Sequence, residues 1–448
     1  MMNRQPVVII GGGWAGLSAA TRLVENGCPV TLFERSNSPG GRASSFYENE
    51  LGEWLDNGPH IVIGAYTAAR RLLQVWGSAA GISYAEGNAI PWLYPNGKII
   101  RLKLGGSGGK FSALTSLLSF GGMPVSDRLK TIRALDALVR WADVDLTGET
   151  TVADFLARYD IKPGGCGGLW DALTTAVMNG PPYLVGLHPI IKAIKEGLLV
   201  GGDSGRIGIP TRPFKSLYID PAVEYLTGQG VEMRLDSSID AIQTSRQGAL
   251  SGVISGDSVF RAKQVISAVP PLELLRLLPE PVKGQPFFSR FTEFEYAPIV
   301  AVHLSFDAPV LPVRFGYIPD SFTQWIFARG IRESEGWSQL SAAISYAPRK
   351  NETSSTIIGA QVLDDVRRVL PSARRVEVKY LKVVRTVRAT VLLKPGSESL
   401  RPPPETPVNG LYLAGDWCGT GLPATIESAA RSGDAAARAA MKGDAPEE

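Results

Sequence analysis

Three cysteines in 448 residues, Cys28, Cys166 and Cys418, are too few and too scattered for a disulfide framework. With no C-x-x-C pair among them they also exclude a thiolate zinc centre, and they point to a reducing compartment. Histidine is equally scarce: His60, His188 and His303 are all there is. No apolar run approaches the roughly 18 residues that a membrane-spanning helix requires. A basic excess is missing too, since 46 Lys and Arg against 43 Asp and Glu leave +3, which makes no case for nucleic acid. The short apolar run near the start belongs to a glycine turn and does not form the h-region of a secretory signal, so a soluble or peripheral protein is expected. Hydrophobic residues at 44% suffice for a sizeable core and two or three domains.

The stretch Pro6 to Gly41 carries the first positive signal. An apolar run, Val7 to Ile10, leads into Gly11, Gly13 and Gly16; a segment with helical spacing follows (Leu17, Ala20, Leu23, Val24); a second run, Val30 to Phe33, ends on Glu34. This strand–turn–helix–strand–acid order is the fingerprint of a dinucleotide site. Gly11 permits the tight turn, Gly13 lets a pyrophosphate approach the backbone, and Gly16 lets helix and strand pack closely. The helix start offers N–H groups and partial positive charge to phosphates. Glu34 can accept from ribose hydroxyls and would repel a 2′-phosphate.

Further along, Tyr66 to Trp76 reads as an amphipathic helix, and Asn96-Gly97 as a hairpin turn. From Gly105 to about Gly205 the pattern is helical: Lys110–Phe120, Ser126–Ala142, Val152–Tyr159 with a Thr151/Asp154 capping box, Gly168–Val177 and Pro189–Leu199. Strands are expected at Val231–Leu235, Ile239–Ile242, Leu250–Ile254 and Val265–Val269. A second sheet is expected from runs at Ile299–Phe306, Phe322–Phe327 and Leu340–Tyr346, with a helix near Val362–Leu370 and a strand near Val376–Val384. The C-terminal part gives a strand (Leu411 to Ala414), the turn Gly415-Asp416 and an Ala-rich helix. No second G-x-G-x-x-G follows a strand, so there is no separate nicotinamide domain.

Gly40-Gly41-Arg42 places a flexible turn and a cation shortly after the ribose acid. At the far end, the carboxylate of Asp416 can bond a ribityl chain, and a helix N-terminus follows near Ala424. The pairing of these two ends, with LDNGPHIVIGAY (Leu55 to Tyr66), Arg388-Ala389-Thr390 and LAGDWCGTGLPATIESAARSG (Leu413 to Gly433), resembles the flavoprotein superfamily of amine oxidases and phytoene desaturases. Within it, the chain is most similar to the hydroxysqualene dehydroxylase (squalene-associated FAD-dependent desaturase) family. Pro59 stands where that family usually has Gln, and Val391 where an aromatic is usual.

The resemblance implies an α/β fold: a GR2-type FAD-binding, Rossmann-like domain interleaved with a substrate domain of mixed sheet and helices. The expected segments are 1–100, 206–275 and 396–448 for FAD, and 101–205 and 276–395 for substrate and membrane. It implies FAD on Gly11, Gly13, Trp14, Ala15 and Gly16, with Glu34 and Arg35 at the ribose and Gly41 and Arg42 along the phosphates. Gly58, Pro59 and His60 would lie near the flavin, and a strand at Ser238-Ile239 would meet the adenine. Gly415 and Asp416 would hold the ribityl–phosphate part, and Pro423, Ala424, Thr425 and Ile426 the flavin edge. No metal is expected.

It further implies an oxidoreductase acting on a polyprenyl hydrocarbon, most closely the reductive dehydroxylation of hydroxysqualene to squalene with an external electron donor. Carotenoid desaturation, amine oxidation and non-enzymatic prenyl binding of the GDP-dissociation-inhibitor type stand as alternatives. His60 is the candidate proton donor to a departing hydroxyl; read otherwise, it is a structural histidine bonded to backbone. His188 and His303 read as core. Gly105-Gly106-Ser107-Gly108-Gly109 satisfies G-x-S-x-G but reads as a mobile loop, and with Lys110 it fails the phosphate-loop pattern. The uncharged stretch Phe111 to Phe120, flanked by Lys98, Arg101, Lys103, Lys110, Arg128, Lys130 and Arg133, reads either as a buried helix or as a peripheral membrane contact. The expected location is cytoplasmic, on the inner face of the membrane.

Overall fold

The computed structural model describes residues 5–85, 88–103, 109–141, 150–200, 203–245, 248–330, 332–347 and 353–443. Its centre is a five-stranded parallel sheet. Strand β1 (Val7–Ile10) lies between β2 (Val30–Phe33) and Val265–Ser267, with Glu232–Arg234 and Leu411–Leu413 at the edges. All four residues of β1 and of β2 are buried, as a parallel strand covered on both faces requires. Helix α1 (Trp14–Glu25) covers one face, and the C-terminal helix Ile426–Gly443 crosses it. At that crossing a Cβ on Gly433 would stand 2.1 Å from the Ala15 carbonyl oxygen, so only glycine allows the approach. The Ser18 hydroxyl donates to Ala430 O at 2.7 Å, and Arg22 pairs with Asp434, closing the same contact.

A three-stranded antiparallel sheet, Ala241–Thr244, Leu250–Ser255 and Ser258–Arg261, leads back into the parallel one. The seven-stranded sheet has the order Val378–Val391, Tyr296–Phe306, Gln339–Ser345, Trp325–Arg329, Phe315–Tyr317, Ala89–Leu93, Ile99–Lys103. Helix Ser355–Val369 packs beneath it around Ile358, Val362 and Val366. The hairpin turn stands where Asn96-Gly97 marks it, both with positive φ (60° and 80°), and it delivers Ala89–Leu93 and Ile99–Lys103 to this second sheet.

Helix α2 spans Thr67–Val75. The helical stretch holds α3 (Gly109–Ser119), α4 (Val125–Trp141), and helices Val152–Ala157, Leu169–Met178 and Leu187–Ile194. The Thr151/Asp154 capping box forms, with Asp154 N–H donating to Thr151 Oγ1 at 3.0 Å. Ser238-Ile239, expected in a strand, instead lies outside any strand, in the link between Glu232–Arg234 and Ala241–Thr244. The glycine-rich loop from Gly105 to Gly108 lies outside the described residues. Among the described residues, no helix is long and apolar enough to cross a membrane.

Candidate functional site

The turn after β1 is held by its own glycines. Gly11 has φ 101°, and its N–H donates to Phe33 O at 2.8 Å. A Cβ on Gly16 would stand 1.9 Å from Gly11 O, whereas one on Gly13 would meet open space among the described residues. Gly16 therefore serves packing, and Gly13 leaves a gap. The gap lies at the start of α1, whose N-cap is Gly13; among the described residues no side chain caps it, and the first turn carries no acid. Uncapped N–H groups beside open space fit a bound phosphate. Trp14 turns its indole into the core between Trp76 and Tyr218, with centroids at 5.5 and 4.6 Å, so its contribution to the turn is its backbone N–H.

Glu34 is buried, and it secures the turn before it meets any ligand. Its Oε2 accepts from Gly12 N–H at 2.7 Å and its Oε1 from Ser36 N–H at 3.0 Å. A carboxylate has about four acceptor positions, so room for a hydroxyl remains. Arg35 is exposed. Ile239 is buried in the link, two residues after Ser237, whose N–H donates to Glu34 O at 2.9 Å. The link thus lies beside the ribose acid without being a strand.

Gly41 (φ 60°) lies against the Gly13 backbone, and Arg42 follows it into the site. Arg42 donates to Ala389 O at 2.7 Å and to Asp416 Oδ1 at 2.6 Å. Burial works against the guanidinium charge, and Asp416 more than offsets it. Gly415 (φ 154°) donates its N–H to Ser432 Oγ at 2.8 Å, turning the chain so that the Asp416 carboxylate faces Arg42. Pro423 is buried, whereas Ala424, Thr425 and Ile426 are half-buried at the start of the C-terminal helix. Thr425 caps that helix, its Oγ1 accepting from Ser428 N–H at 3.3 Å.

Gly58 is buried, 3.7 Å from Ala301 by the position of a Cβ, and Pro59 is half-buried. His60 packs against Phe214 with centroids at 5.2 Å. Burial first, and the nearby Arg42 charge second, lower its pKa to about 4. At neutral pH it is an uncharged imidazole and holds no proton to spare. The stretch does carry a carboxyl that titrates high: burial raises Asp56 to about 6, although it accepts from Ser45 Oγ (2.7 Å) and Phe214 N–H (2.8 Å). His303 is core, as its apolar neighbours suggest, whereas His188, expected there too, is exposed on Leu187–Ile194.

Several contributors are given no role by the sequence reading. Glu427 is buried and accepts from the N–H groups of Ala68 (3.1 Å) and Ala69 (2.9 Å), capping α2 across 358 residues. Asn179 donates to Ala297 O and Thr390 Oγ1, both at 3.0 Å. Thr390 thereby anchors the helical segment, while Ala389 anchors Arg42. Lys192, on Leu187–Ile194, donates to Thr420 O at 2.7 Å. Arg401 holds the loop after Asp416 from below.

The sequence pattern of the family described as flavin containing amine oxidoreductase matches residues 14–441. A hydroxysqualene dehydroxylase of Sinorhizobium fredii is 29% identical, covering 97% of this chain and 98% of its own. A 15-cis-phytoene desaturase of Solanum lycopersicum is 24% identical over 97% of this chain but 77% of its own. Among solved structures, an oxidoreductase from Methanosarcina mazei superposes with a TM-score of 0.73 at 18% identity, covering 98% of this chain and all of that one.

Proposed function

From the premise that this chain belongs to the flavin-containing amine oxidoreductase family, we propose that it binds FAD and reductively removes the hydroxyl of hydroxysqualene to give squalene. The observation that carries the substrate reading is the end-to-end match with the dehydroxylase, which extends over 98% of that protein. Phytoene-type desaturation is the second reading, favoured by the weaker match to the desaturase.

The residues described fit FAD. The uncapped start of α1 (Trp14, Ala15, Gly16) and the gap at Gly13 would take the pyrophosphate, with Arg42 beside it and Gly41 giving the backbone room. Glu34 would accept from the adenosine ribose, with Arg35 at the rim and Ile239 beside the adenine. Asp416, one oxygen on Arg42, would accept a ribityl hydroxyl with the other. Gly415 would share the ribityl part with Asp416, Pro423, Ala424, Thr425 and Ile426 would border the ring, and Gly58, Pro59 and His60 would lie near it. When bound and reduced, the flavin supplies the hydride.

The remaining chemistry belongs to the protein. The allylic C–O bond breaks with its electron pair on oxygen, and a proton must reach that oxygen for water to leave. His60, neutral at pH 7, would not bring this proton as an imidazolium. Its role would be to donate a hydrogen bond to the departing hydroxyl and to hold a water that relays a proton from solvent to that oxygen, so that the hydroxyl leaves as water and no hydroxide remains. An apolar tunnel over this stretch would be needed to keep bulk water from the allylic cation.

The cofactor-binding part would be built from 1–100, 206–275 and 396–448, and the substrate part from 101–205 and 276–395. Residues 89–103 would reach across from the first into the second sheet. Electrons would come from an external donor. The cytoplasmic face of the membrane would be met through α3 and α4, where Leu114, Leu118, Val125 and Leu129 are exposed. Phe120 is not part of that contact: it is buried edge-on against Trp92 at 5.2 Å, and the Phe111 side chain lies outside the described residues.

Anaerobic reduction of the holoenzyme followed by hydroxysqualene should reoxidise the flavin one-for-one and release squalene. Absence of reoxidation, with conversion of phytoene by the oxidised enzyme, would replace this reading with the desaturase one.

A further inference from the structure

Arg401 is a charged side chain with none of its surface exposed, in the segment between the turn Ser397–Leu400 and the strand Leu411–Leu413. Its partners are two backbone carbonyls and three side chains. Nη1 donates to Leu422 O at 2.7 Å and to Glu398 Oε1 at 3.0 Å; Nη2 donates to Asp416 O at 3.0 Å. Nη2 also lies 3.4 Å from Ser428 Oγ and 3.5 Å from Thr420 Oγ1. The Ser428 hydroxyl reaches the same Asp416 carbonyl at 3.2 Å and shares a 2.6 Å hydrogen bond with Thr420. One guanidinium thus holds both ends of the loop from Asp416 to Leu422. Burying a cation is costly, and leaving carbonyls unpaired in its place would be costly as well. A planar fork can span two carbonyls at once; an ammonium cannot.

Between those ends the loop has little freedom. Trp417 is buried against Phe291 and Phe294, centroids at 5.2 and 5.7 Å, and its indole N–H donates to Val269 O. Gly419 N–H donates to Pro402 O at 2.9 Å. The Asp416 carboxylate is the group the loop turns the other way, toward Arg42.

We propose that Arg401 is a positioning residue for the flavin: by gripping the Asp416 and Leu422 carbonyls it aims the Asp416 carboxylate at the cofactor's polar chain. This rests on the flavin reading above. The grip depends on forked geometry, so charge alone does not replace it.

The test is a double-mutant cycle on the full-length holoenzyme, read as the flavin dissociation constant from fluorescence release on dilution. Arg401→Met and Arg401→Lys should each weaken flavin binding about ten-fold or more, since each loses charge-assisted bonds. Asp416→Asn should do the same. In the Asp416→Asn background, Arg401→Met should cost less than about three-fold more, because its effect runs through the group already lost. A merely structural arginine would give costs that multiply, and that result overturns the proposal. So does a folded Arg401→Lys that binds flavin as the wild type does. Ser428→Ala, which keeps the guanidinium but removes the second donor to Asp416 O, should weaken binding less and show the same coupling, so the cycle can be read if Arg401 variants misfold. A wild-type protein isolated without flavin would overturn the cofactor reading, whereas multiplying costs in a flavin-loaded protein overturn only the role of Arg401.

Discussion

The guanidinium of Arg42 and the carboxylate of Asp416 meet at 2.6 Å although 374 residues of sequence separate them. Each belongs to a different end of the chain, and the pair exists because the strand Leu411–Leu413 lies two places from β1 in the same sheet. Arg42 spends its other nitrogen on Ala389 O, so the pair also ties the second sheet to the first. Arg42→Met keeps the unbranched stem, so the chain should still fold, with a lower melting temperature because the buried Asp416 carboxylate loses its partner. Flavin affinity should fall about ten-fold or more, because the Asp416 carboxylate proposed to hold the cofactor is left without its charge-assisted partner. Flavin content after gel filtration at matched concentration checks this; undiminished content would remove Arg42 from the site.

Gly433→Ala tests the crossing of the two helices. The new methyl group would stand 2.1 Å from Ala15 O and 2.9 Å from Ser18 Cβ, and neither neighbour is a flexible side-chain end. Overpacking of this kind costs about 1–3 kcal/mol. Thermal unfolding should shift down by several degrees, with flavin lost early because Ala15 belongs to the first turn of α1. An unchanged melting temperature would mean that the helices can part without cost.

Much of this architecture was legible because its causes are local. Gly11, Gly16 and Gly41 are required by backbone conformation or close approach, Asn96-Gly97 takes up positive φ, and Thr151 with Asp154 caps its own helix. What stayed hidden depends on partners distant in sequence. Arg401 holds carbonyls, which every residue has, so nothing in the sequence singles out its targets. The start of α2 carries no side-chain cap of its own, and its cap arrives as Glu427 from the other end of the chain. The strands Val62–Ile63, Ile82–Tyr84 and Ile207–Pro210 are too short to show a period. The neutral state of His60 follows from burial and from Arg42, neither visible in a motif.

Acid sensitivity should separate two buried groups of opposite effect. His303 donates from Nε2 to the Asp56 carbonyl at 3.0 Å, so Nδ1 is the acceptor of the Ser341 hydroxyl at 2.7 Å. Burial first, then Arg329, lower its pKa to about 3, whereas an unfolded histidine titrates near 6.5. Below pH 6.5 the unfolded chain therefore takes up a proton that the folded one refuses, and stability falls as pH drops toward 3. Asp56 acts in reverse. Its folded pKa is raised to about 6 from 3.8, so the folded state binds the proton first and gains stability as pH falls through that window. Between pH 6 and 4, Asp56→Asn should make the fall in melting temperature steeper, and His303→Gln should make it shallower relative to each variant's own value at pH 7.5. Identical slopes in both variants would refute the assignment.

The apolar face formed by α3 and α4 supplies the last test. Leu114 and Leu118 lie one turn apart on α3, Val125 and Leu129 one turn apart on α4, with exposures from 37% to 64%. Arg128 joins the two helices by donating to Leu118 O at 2.6 Å, and Arg101, Lys103 and Arg133 are exposed nearby in sequence. Exposed aliphatic side chains in a segment that also carries exposed cations suit an anionic bilayer surface, where each leucine inserted contributes roughly 1–2 kcal/mol. Leu118→Glu and Leu129→Glu place a charge where the chain is already half open to solvent, so both should fold and keep their flavin. Each should reduce co-sedimentation with vesicles of phosphatidylglycerol and phosphatidylcholine by about ten-fold. Val259→Glu, equally exposed at 56% but on the small antiparallel sheet, should sediment as the wild type does. The contact is disproved if the wild type stays in the supernatant at low salt, or if all three variants bind alike.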